Sequence, residues 1–352
     1  MKKTVKIGNV NIGGCNKIAI QSMTNTKTKD VESTLNQIRE LQAANCDIVR
    51  CAVFDKADAY AIKEIVLHSQ LPIVADIHFD YNLAIASIEN GAAKVRVNPG
   101  NLGVYERFDK VIDCAKLNDA AIRIGVNSGS INSDEMAKCN NKITAMLSSM
   151  KNYVIRAQER NFENLVLAGK LSDVKETVLL NRMIDKTFDY PIHIGVTEAG
   201  VQPIGMIKSA IGIGSLLLDG IGDTIRVSLT DSPVKEVYAA QAILQALGIE
   251  KNYVNVVSCP TCGRCQIDLI DIANAVNNHT LNIKKPLKIA VMGCAVNGPG
   301  EAKDADLGLA GGDNCAVFFK KGKIYKKVTE NIIAEFLSEV DKILLEKQTI
   351  IK

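Results

Sequence analysis

The feature that most constrains the fold is an alternation of short β-branched runs with amphipathic segments, repeated eight times between residues 17 and 230. In the first amphipathic segment, Leu35, Ile38 and Leu41 recur at the three- to four-residue spacing of a helix. The runs are 17–23, 46–53, 72–78, 92–100, 121–129, 163–170, 191–200 and 223–230. Eight such units predict a parallel sheet closed into a (β/α)8 barrel.

A doubly wound open sheet is the alternative fold for the same alternation. Its dinucleotide-binding form places a GxGxxG motif directly after the first strand. No such motif follows residues 17–23. The barrel is therefore the preferred prediction.

The last hundred residues differ in texture from the alternating region. They contain two strand-like runs, a hairpin that turns on Lys321 and Gly322, and an amphipathic helical segment at 329–347. This pattern predicts a smaller α+β domain. We place the barrel domain at 1–250 and the second domain at 251–352.

The composition fits a soluble globular enzyme or binding protein. The chain has 352 residues, 47% of them hydrophobic and 23% charged, and its formal net charge is only +3. This charge implies no broad attraction to nucleic acid or to a membrane surface. The N-terminus lacks the apolar run of a secretory signal, and no segment is long enough to span a membrane. We expect a cytoplasmic protein.

Charged side chains cluster at the carboxyl ends of the predicted strands, where barrel active sites lie. Four cations among them are expected to converge at one mouth of the barrel: Arg50, Arg96, Arg123 and Lys170. The other polar residues at these ends are Asp76, His78, Asn98, Asn127, Thr197, Glu198, Arg226 and Ser228. Buried charges of one sign repel one another unless they are neutralised, and guanidinium groups match phosphate geometry. The pattern predicts a small, strongly anionic ligand with more than one phosphate.

Two points about these residues stay open. Internal salt bridges with Asp76, Glu198 and Asp223 would also neutralise the cations, and Asp223 is a nearby partner for Arg226. His78 fits a phosphate contact, a proton donor or a buried core histidine equally well. Sequence spacing does not separate these possibilities.

The second predicted domain carries a CxxCxxC motif, formed by Cys259, Cys262 and Cys265, and a later thiol, Cys294. Structural zinc sites usually contain two ligand pairs, and disulfides need an oxidising compartment. Thiolates that converge from loops are typical of an iron–sulfur cluster, with zinc as the alternative. Spacing alone assigns all four cysteines as ligands. The cysteines of the first half lack such spacing and fit buried thiols: Cys15, Cys46, Cys51, Cys114 and Cys139.

Long motifs follow one another in order along nearly the whole chain. They are IQSMTNT (20–26), VRCAV (49–53), DIHFD (76–80), VRVNPGN (95–101), RIGVNSGS (123–130), GVTEAG (195–200), GIGDTIRVSLT (220–230), SCPTCGR (258–264) and MGCAVNGPGEAKDADLGLAGG (292–312). In these motifs the chain resembles the bacterial 4-hydroxy-3-methylbut-2-enyl diphosphate synthases of the non-mevalonate isoprenoid pathway. Both cysteine motifs are long and distinctive.

The resemblance implies a 4Fe–4S cluster with three cysteine ligands and one glutamate ligand. At the matching positions of this chain the ligands are Cys259, Cys262, Cys294 and Glu301. Cys265 has no ligand role in that pattern. A carboxylate is a weaker donor to iron than a thiolate, so one iron would be able to bind substrate.

The resemblance also implies the reaction. It is the two-electron reductive ring opening of 2-C-methyl-D-erythritol 2,4-cyclodiphosphate, in which a hydroxyl leaves as water and a linear diphosphate is formed. Flavodoxin or ferredoxin would donate the electrons, since the chain has no flavin or nicotinamide motif. A homodimer is implied, in which each cluster domain caps the barrel of the partner.

With this substrate, the strand-end residues acquire provisional roles. Those expected to bind the diphosphate and hydroxyls are Arg50, Arg96, Asn98, Arg123, Asn127 and Lys170, with His78. Those expected to take part in catalysis are Glu198, in proton transfer or in orientation near the reacting carbons, His78, and Asp76, which would orient His78 or Arg50. Two rival functions are a pterin-type transferase barrel with a structural zinc module, and a non-catalytic electron carrier.

Overall fold

The computed structural model describes residues 2–98, 103–127, 139, 141–295, 300 and 302–349. Within it the chain forms two compact units, Met1–Leu247 and Gly248–Lys352. Each unit has a hydrophobic core of its own. In the described part of the chain, no helix is long and apolar enough to cross a membrane.

The first unit is a barrel of parallel strands preceded by a small hairpin. Its strands are β1 (Val5–Ile7), β2 (Val10–Ile12), β3 (Ala19–Met23), β4 (Ile48–Val53), β5 (Ile73–Ile77), β6 (Lys94–Val97), β7 (Ala121–Asn127), β8 (Leu165–Lys170), β9 (His193–Ile194) and β10 (Thr224–Ile225). Eight of them pair in the order β8-β7-β6-β5-β4-β3-β10-β9, always in parallel. A parallel bridge between Leu167 and Ile192 joins the two ends of this sheet. The predicted (β/α)8 barrel is confirmed, because an open sheet would lack the closing bridge.

Helices connect successive strands on the outside of the barrel. They are α1 (Val31–Ala43), α2 (Lys56–His68), α3 (Tyr81–Glu89), α4 (Tyr105–Leu117), α5 (Lys142–Glu159), α6 (Val174–Thr187), α7 (Ile204–Leu218) and α8 (Pro233–Ala246). An aspartate precedes several of them, and at Asp30, Asp55 and Asp173 its carboxylate accepts a backbone N–H of the first turn. Such caps satisfy N–H groups that have no partner within the helix. They fix each helix start a few residues beyond the strand end.

Side chains alternate along each barrel strand between the helical layer and the barrel interior. On β4, Val49, Cys51 and Val53 belong to the core between strands and helices. Ile48 belongs instead to a separate apolar cluster inside the barrel. Arg50 therefore shares the inward face of β4 with Ile48, two residues nearer the carboxyl end. The same alternation turns the other strand-end cations inward.

The bottom of the barrel is filled by apolar side chains. Hairpin β1–β2 contributes Val5, Ile7 and Ile12 to this layer. They pack with the interior residues Ala19, Ile48, Val74, Ala121 and Val166. The sequence analysis missed the hairpin because each of its strands is only three residues long. The polar end of the barrel is thus the end where the strands finish.

Over its described residues, the second unit is a five-stranded sheet with two helices. Its elements are β11 (Val254–Ser258), α9 (Leu269–Thr280), β12 (Leu287–Met292), β13 (Leu307–Gly312), β14 (Cys315–Lys320), β15 (Lys323–Val328) and α10 (Ile332–Thr349). The strands lie in sequence order; β11, β12 and β13 are parallel, whereas β14 and β15 are antiparallel. The turn between β14 and β15 has positive φ at Lys321 and Gly322, as the Lys-Gly signal predicts. Because β11 and β12 are parallel neighbours, the cysteine segments that follow them leave the sheet at the same edge.

Candidate active site

A cavity of about 140 Å³ lies at the carboxyl ends of the barrel strands. Its lining residues are Arg50, Asp76, His78, Arg96, Gly125, Arg123, Ala168, Lys170, Thr197, Arg226 and Ser228. Asp76, Arg96 and Arg123 are brought side by side because they are in direct register on β5, β6 and β7. The four cations predicted from the strand ends therefore meet in one cavity, together with a fifth, Arg226.

Asp76 is the carboxylate at the centre of one side of this cavity. Its side chain lies 3.8 Å from Arg50 Nε, 3.5 Å from Arg96 Nη1 and 3.6 Å from His78 Nε2. Burial alone would raise the pKa of the Asp76 carboxyl, but the charge of Arg50, the His78 hydrogen bond and the charges of Arg96 and Arg123 hold it well below its usual range. Asp76 is therefore ionised and neutralises only part of the surrounding positive charge.

Arg123 and Lys170 have no carboxylate partner among the residues that the structure describes. The Nε and Nη1 atoms of Arg123 are buried without a hydrogen-bond partner. Burial, then the neighbouring cations, lowers the pKa of both side chains well below the ordinary values. Gly195 leaves room for the ammonium, since a Cβ there would lie 2.8 Å from Lys170 Nζ. Such a site is suited to binding an anion by charge-assisted hydrogen bonds.

Arg226 has a different carboxylate partner from the one suggested by the sequence. Its Nη2 lies 3.3 Å from Oε1 of Glu236, which is buried in the first turn of α8. Asp223 accepts the backbone N–H of Ile192 instead. The suggestion of an Arg226–Asp223 pair is therefore wrong, because residue 223 lies at the other end of β10. Arg226 belongs to the cavity wall.

His78 lies at the rim of the cavity, and its side chain is 43% exposed. Its ring is parallel to that of Phe54 at a centroid distance of 6.3 Å and lies 6.1 Å from the ring of Phe79. Of the three possibilities for this histidine, a buried core residue is excluded by the exposure. Its Nε2 lies 3.6 Å from the Asp76 carboxylate, so one ring nitrogen faces this buried acid.

A second cavity, of about 280 Å³, lies in the smaller unit. It is lined by Cys259, Pro260, Cys262, Arg264, Cys265, Gly293 and Cys294. Cys259 directly follows β11 and Cys294 follows β12 by two residues, and these strands are paired from Val254 to Ser258. The cysteines that are distant in sequence thus meet at one edge of the sheet. Glu301 lies outside the described residues.

Gly293 connects the two cysteine segments. Its N–H donates to Cys259 Sγ at 3.2 Å, and its carbonyl accepts the N–H of Gln266 at 2.8 Å. A Cβ on Gly293 would lie 2.7 Å from Cys265 Sγ, so only glycine allows this close approach. The Cys265 thiol donates to the carbonyl of Ile267 at 3.2 Å. Cys265 is held by these contacts between the two segments.

The donor set of this cavity fits an iron–sulfur group. Thiolates are the ligands that such clusters use, and four cysteines face the same open volume. Hydrogen bonds from the backbone and side chain of Arg264 lower the pKa of the exposed Cys262 thiol, which favours the ligating thiolate. Over the described ranges, no group of three His, Cys, Asp or Glu side chains is arranged to hold a single metal ion.

Two family models match this chain. The GcpE TIM-barrel domain matches residues 2–241, and the GcpE protein C-terminal domain matches residues 255–342. The chain belongs to the GcpE family. The resemblance found in the motifs is therefore confirmed.

Curated relatives in the GcpE family are similar to this chain over nearly its full length. A protein of Caldanaerobacter subterraneus subsp. tengcongensis is 53% identical over 99% of this chain and 98% of its own length. One of Clostridium perfringens is 50% identical over 96% of this chain and 97% of its own length. Both are named 4-hydroxy-3-methylbut-2-en-1-yl diphosphate synthase (flavodoxin).

The barrel also resembles a solved structure of low sequence identity. It is the Plasmodium falciparum HPPK-DHPS wild type with STZ-DHP, which matches 70% of this chain and 50% of its own, with a TM-score of 0.50 and 13% identity. At this identity the likeness is one of fold alone. The GcpE barrel is thus similar in architecture to this protein.

Two predicted residues of this GcpE chain, Glu198 and Asn98, are not among the residues that line the cavity. Glu198 is exposed and has a φ of +52°, a left-handed conformation that is uncommon for a non-glycine residue. Asn98 is buried directly after β6, and Asn127 is the last residue of β7, in register with Lys170. Thr197, one residue before Glu198, does line the cavity.

A polar layer beneath the cations was missed by the sequence analysis. Lys94 is fully buried and its Nζ donates to Gln21 Oε1 at 3.3 Å, while His193 Nδ1 lies 2.7 Å from Thr224 Oγ1. Burial, then the nearby cations, lowers the pKa of both Lys94 and His193 well below the ordinary values. The sequence signal was available, since Lys94 precedes Arg96 by two residues and so shares its inward face.

Proposed function

We propose that this protein is a flavodoxin-dependent oxidoreductase, a 4-hydroxy-3-methylbut-2-en-1-yl diphosphate synthase. It opens the ring of 2-C-methyl-D-erythritol 2,4-cyclodiphosphate with two electrons, and a hydroxyl leaves as water when protons are supplied. The observation that carries this function is the 53% identity over 99% of the chain to a relative of that name. The cationic cavity supports it independently, because the substrate's main handle is a diphosphate.

The barrel residues would bind and orient the substrate. Arg123 and Lys170, which lack carboxylate partners in the described chain, are assigned the diphosphate oxygens. Arg50 and Arg96 are assigned the same group, with Asp76 keeping both guanidinium groups in place. Groups fixed before the substrate arrives stabilise developing charge without reorganising during the reaction.

The remaining predicted residues would act around the reacting carbons. His78 lies at the cavity rim with one nitrogen toward Asp76, and we assign it a contact to a phosphate or a hydroxyl. Asn98 and Asn127 are assigned substrate hydroxyls, from the ends of neighbouring strands. Glu198 keeps its proposed role in proton transfer, and its left-handed backbone is the kind of strain found at functional sites.

We assign residues 1–250 to substrate binding and 251–352 to the cofactor. Cys259, Cys262 and Cys294 would hold a 4Fe–4S cluster with Glu301. When bound, the cluster supplies single electrons to the substrate. Cys265 is left out of the ligand set because it has no ligand role in the motif pattern that this chain resembles, and its thiol donates to the Ile267 carbonyl.

The electron donor that we propose is flavodoxin, which the names of the relatives contain. Flavodoxin and thiols that must stay reduced both belong in the cytoplasm, so we place the protein there. We also propose a homodimer in which the cofactor domain of each chain caps the barrel of the other. Sedimentation of the purified protein would show a monomer if the dimer proposal is wrong.

Anaerobic purification, an absorption spectrum and an iron count test the function together with turnover of the cyclodiphosphate by reduced flavodoxin. A brown protein with about four irons per chain that forms the linear diphosphate is the expected result. A colourless protein with one zinc would favour the pterin-type transferase, which the relatives do not support. A brown protein that does not bind the cyclodiphosphate would favour the electron carrier.

A further inference from the structure

Glu236 is a buried carboxylate that stands behind the cavity wall. It lies in the first turn of α8, is 5% exposed, and is not among the residues that line the cavity. Its Oε1 accepts the backbone N–H of Leu229 at 3.0 Å, and its Oε2 lies 3.4 Å from Ser22 Oγ. The carboxylate therefore connects the segment after β10 to β3, its neighbour in the barrel.

The same carboxylate holds one cavity cation. Nη2 of Arg226 lies 3.3 Å from Oε1 and 3.4 Å from Oε2 of Glu236. The Arg226 side chain is 19% exposed, and its Nε is buried without a hydrogen-bond partner. One end of this guanidinium is thus fastened from behind, while Arg226 still contributes to the cavity lining.

In the described chain, two buried acids near the cavity, Asp76 and Glu236, contact cations on different sides of the barrel. Asp76 lines the cavity from β5 and lies between Arg50 on β4 and Arg96 on β6. Glu236 reaches Arg226 on β10 from a helix outside the barrel. A substrate anion would thus share Arg50 and Arg96 with a carboxylate in the cavity, but would meet Arg226 from the side opposite to Glu236.

We propose that Glu236 is a positioning residue for the reaction proposed above. It aims the Arg226 guanidinium at the substrate diphosphate and fastens the segment after β10 against β3. It acts through Arg226 and does not touch the substrate. This inference rests on the proposed function, because it takes the bound anion to be the diphosphate of the substrate.

Removing the negative charge of Glu236 should change the affinity for an anion in opposite directions under the two explanations, positioning and simple electrostatics. Glu236→Gln adds one net positive charge beside the cavity, so an electrostatic role alone predicts tighter anion binding. A positioning role predicts weaker binding, because the guanidinium loses its charge-assisted contact and turns away. Only the second outcome fits the proposal.

The experiment measures the KM for the cyclodiphosphate, kcat, and the affinity for inorganic diphosphate in the cluster-loaded protein. For Glu236→Gln we expect the KM and the diphosphate Kd each to rise by about tenfold, with iron content unchanged. In an Arg226→Met background, Glu236→Gln should have almost no further effect, because the two residues act as one unit. Unchanged or tighter binding in Glu236→Gln, or a full effect without Arg226, would overturn the proposal.

Asp58 provides a matched control. It is a buried carboxylate on α2 that accepts the backbone N–H groups of Lys29 and Phe54 at 2.9 and 3.0 Å, and it pairs with no cation in the described chain. Asp58→Asn should lower the melting temperature with no change in KM, whereas a raised KM there would mean that loop fastening alone explains Glu236. A wild-type protein that does not turn over the cyclodiphosphate would refute the proposed function instead. Weaker inorganic diphosphate binding in Glu236→Gln would still report on the positioning of Arg226.

Discussion

In the barrel, the charged side chains come from separate strands spread between residues 50 and 226, whereas the cysteines of the second cavity come from two short segments that follow β11 and β12. The barrel fixes its cations by strand register and holds Arg50, Arg96 and Arg226 in addition by buried carboxylates. The cysteine cavity is fixed mainly by backbone groups around Gly293. A cluster of like charges thus depends on a rigid scaffold that holds the side chains together before a ligand binds. Metal binding, in contrast, can itself order the loops that carry its ligands.

Loss of a proposed cluster ligand should have the largest effect and leave the barrel untouched. Cys294→Ser should abolish the brown colour of the cluster and lower turnover by more than about a hundredfold. Substituting a residue that only contacts a metal ligand already lowers metal affinity or activity by up to about a hundredfold. Iron analysis and turnover check this. Inorganic diphosphate should still bind with wild-type affinity, and weaker binding would mean that the two cavities depend on one another.

Loss of a barrel cation that has no carboxylate partner in the described chain should have the next largest effect. Lys170→Met should raise the KM by about fiftyfold, which corresponds to one charge-assisted contact to a phosphate. The melting temperature should stay constant or rise, because a buried cation among like charges is removed. Lys142→Met, in an exposed pair with Glu176, is the matched control and should change neither quantity. A normal KM in Lys170→Met would remove this residue from the site.

Loss of the shared carboxylate should affect stability in a pH-dependent way. The pKa of Asp76 is depressed in the folded protein, so its ionised form stabilises the fold above the unfolded pKa of about 3.9, and this contribution is lost as pH falls toward the folded value. Asp76→Asn should therefore lower the free energy of unfolding by about 3 kcal/mol near pH 7. Urea unfolding between pH 3 and 7 should show this difference shrinking below about pH 4. A constant difference would contradict the ion-pair explanation.

The smallest effect should come from Cys265. Cys265→Ser should retain the iron content and absorption spectrum of the wild type, because the proposed ligand set does not include Cys265, whose thiol donates to the Ile267 carbonyl. Stability should fall by about 1 kcal/mol, the cost of a smaller and more polar group at a packed position. Loss of iron would show that Cys265 binds the cluster and would exclude the proposed ligand set.

The barrel and most of its cations were predictable because both follow local rules. Alternation places Arg50, Arg96 and Arg123 on inward faces at the strand ends, whatever the rest of the chain does. The same rule places Lys94, two positions before Arg96, on the inward face of β6. These features depend only on period and on strand order.

Other features depend on contacts between distant parts of the chain. Glu236 lies ten residues beyond Arg226 on a helix, and nothing in the local pattern separates it from Asp223 as a partner. Glu198 follows a strand of only two residues, and its left-handed backbone gives it a direction that strand alternation does not describe. Strand alternation predicts side-chain direction only within the regular strand, so it does not predict the direction of residues beyond the strand end.

The apolar floor made with hairpin β1–β2 has a kinetic consequence. Within the described chain the barrel opens at the end where the strands finish, so we expect substrate entry, departure of water and product release to share one route. The linear product keeps the diphosphate that we assign to the cations, and it would occupy this route until it leaves. We therefore expect product and substrate to exclude one another, with inhibition by product competitive with respect to the cyclodiphosphate.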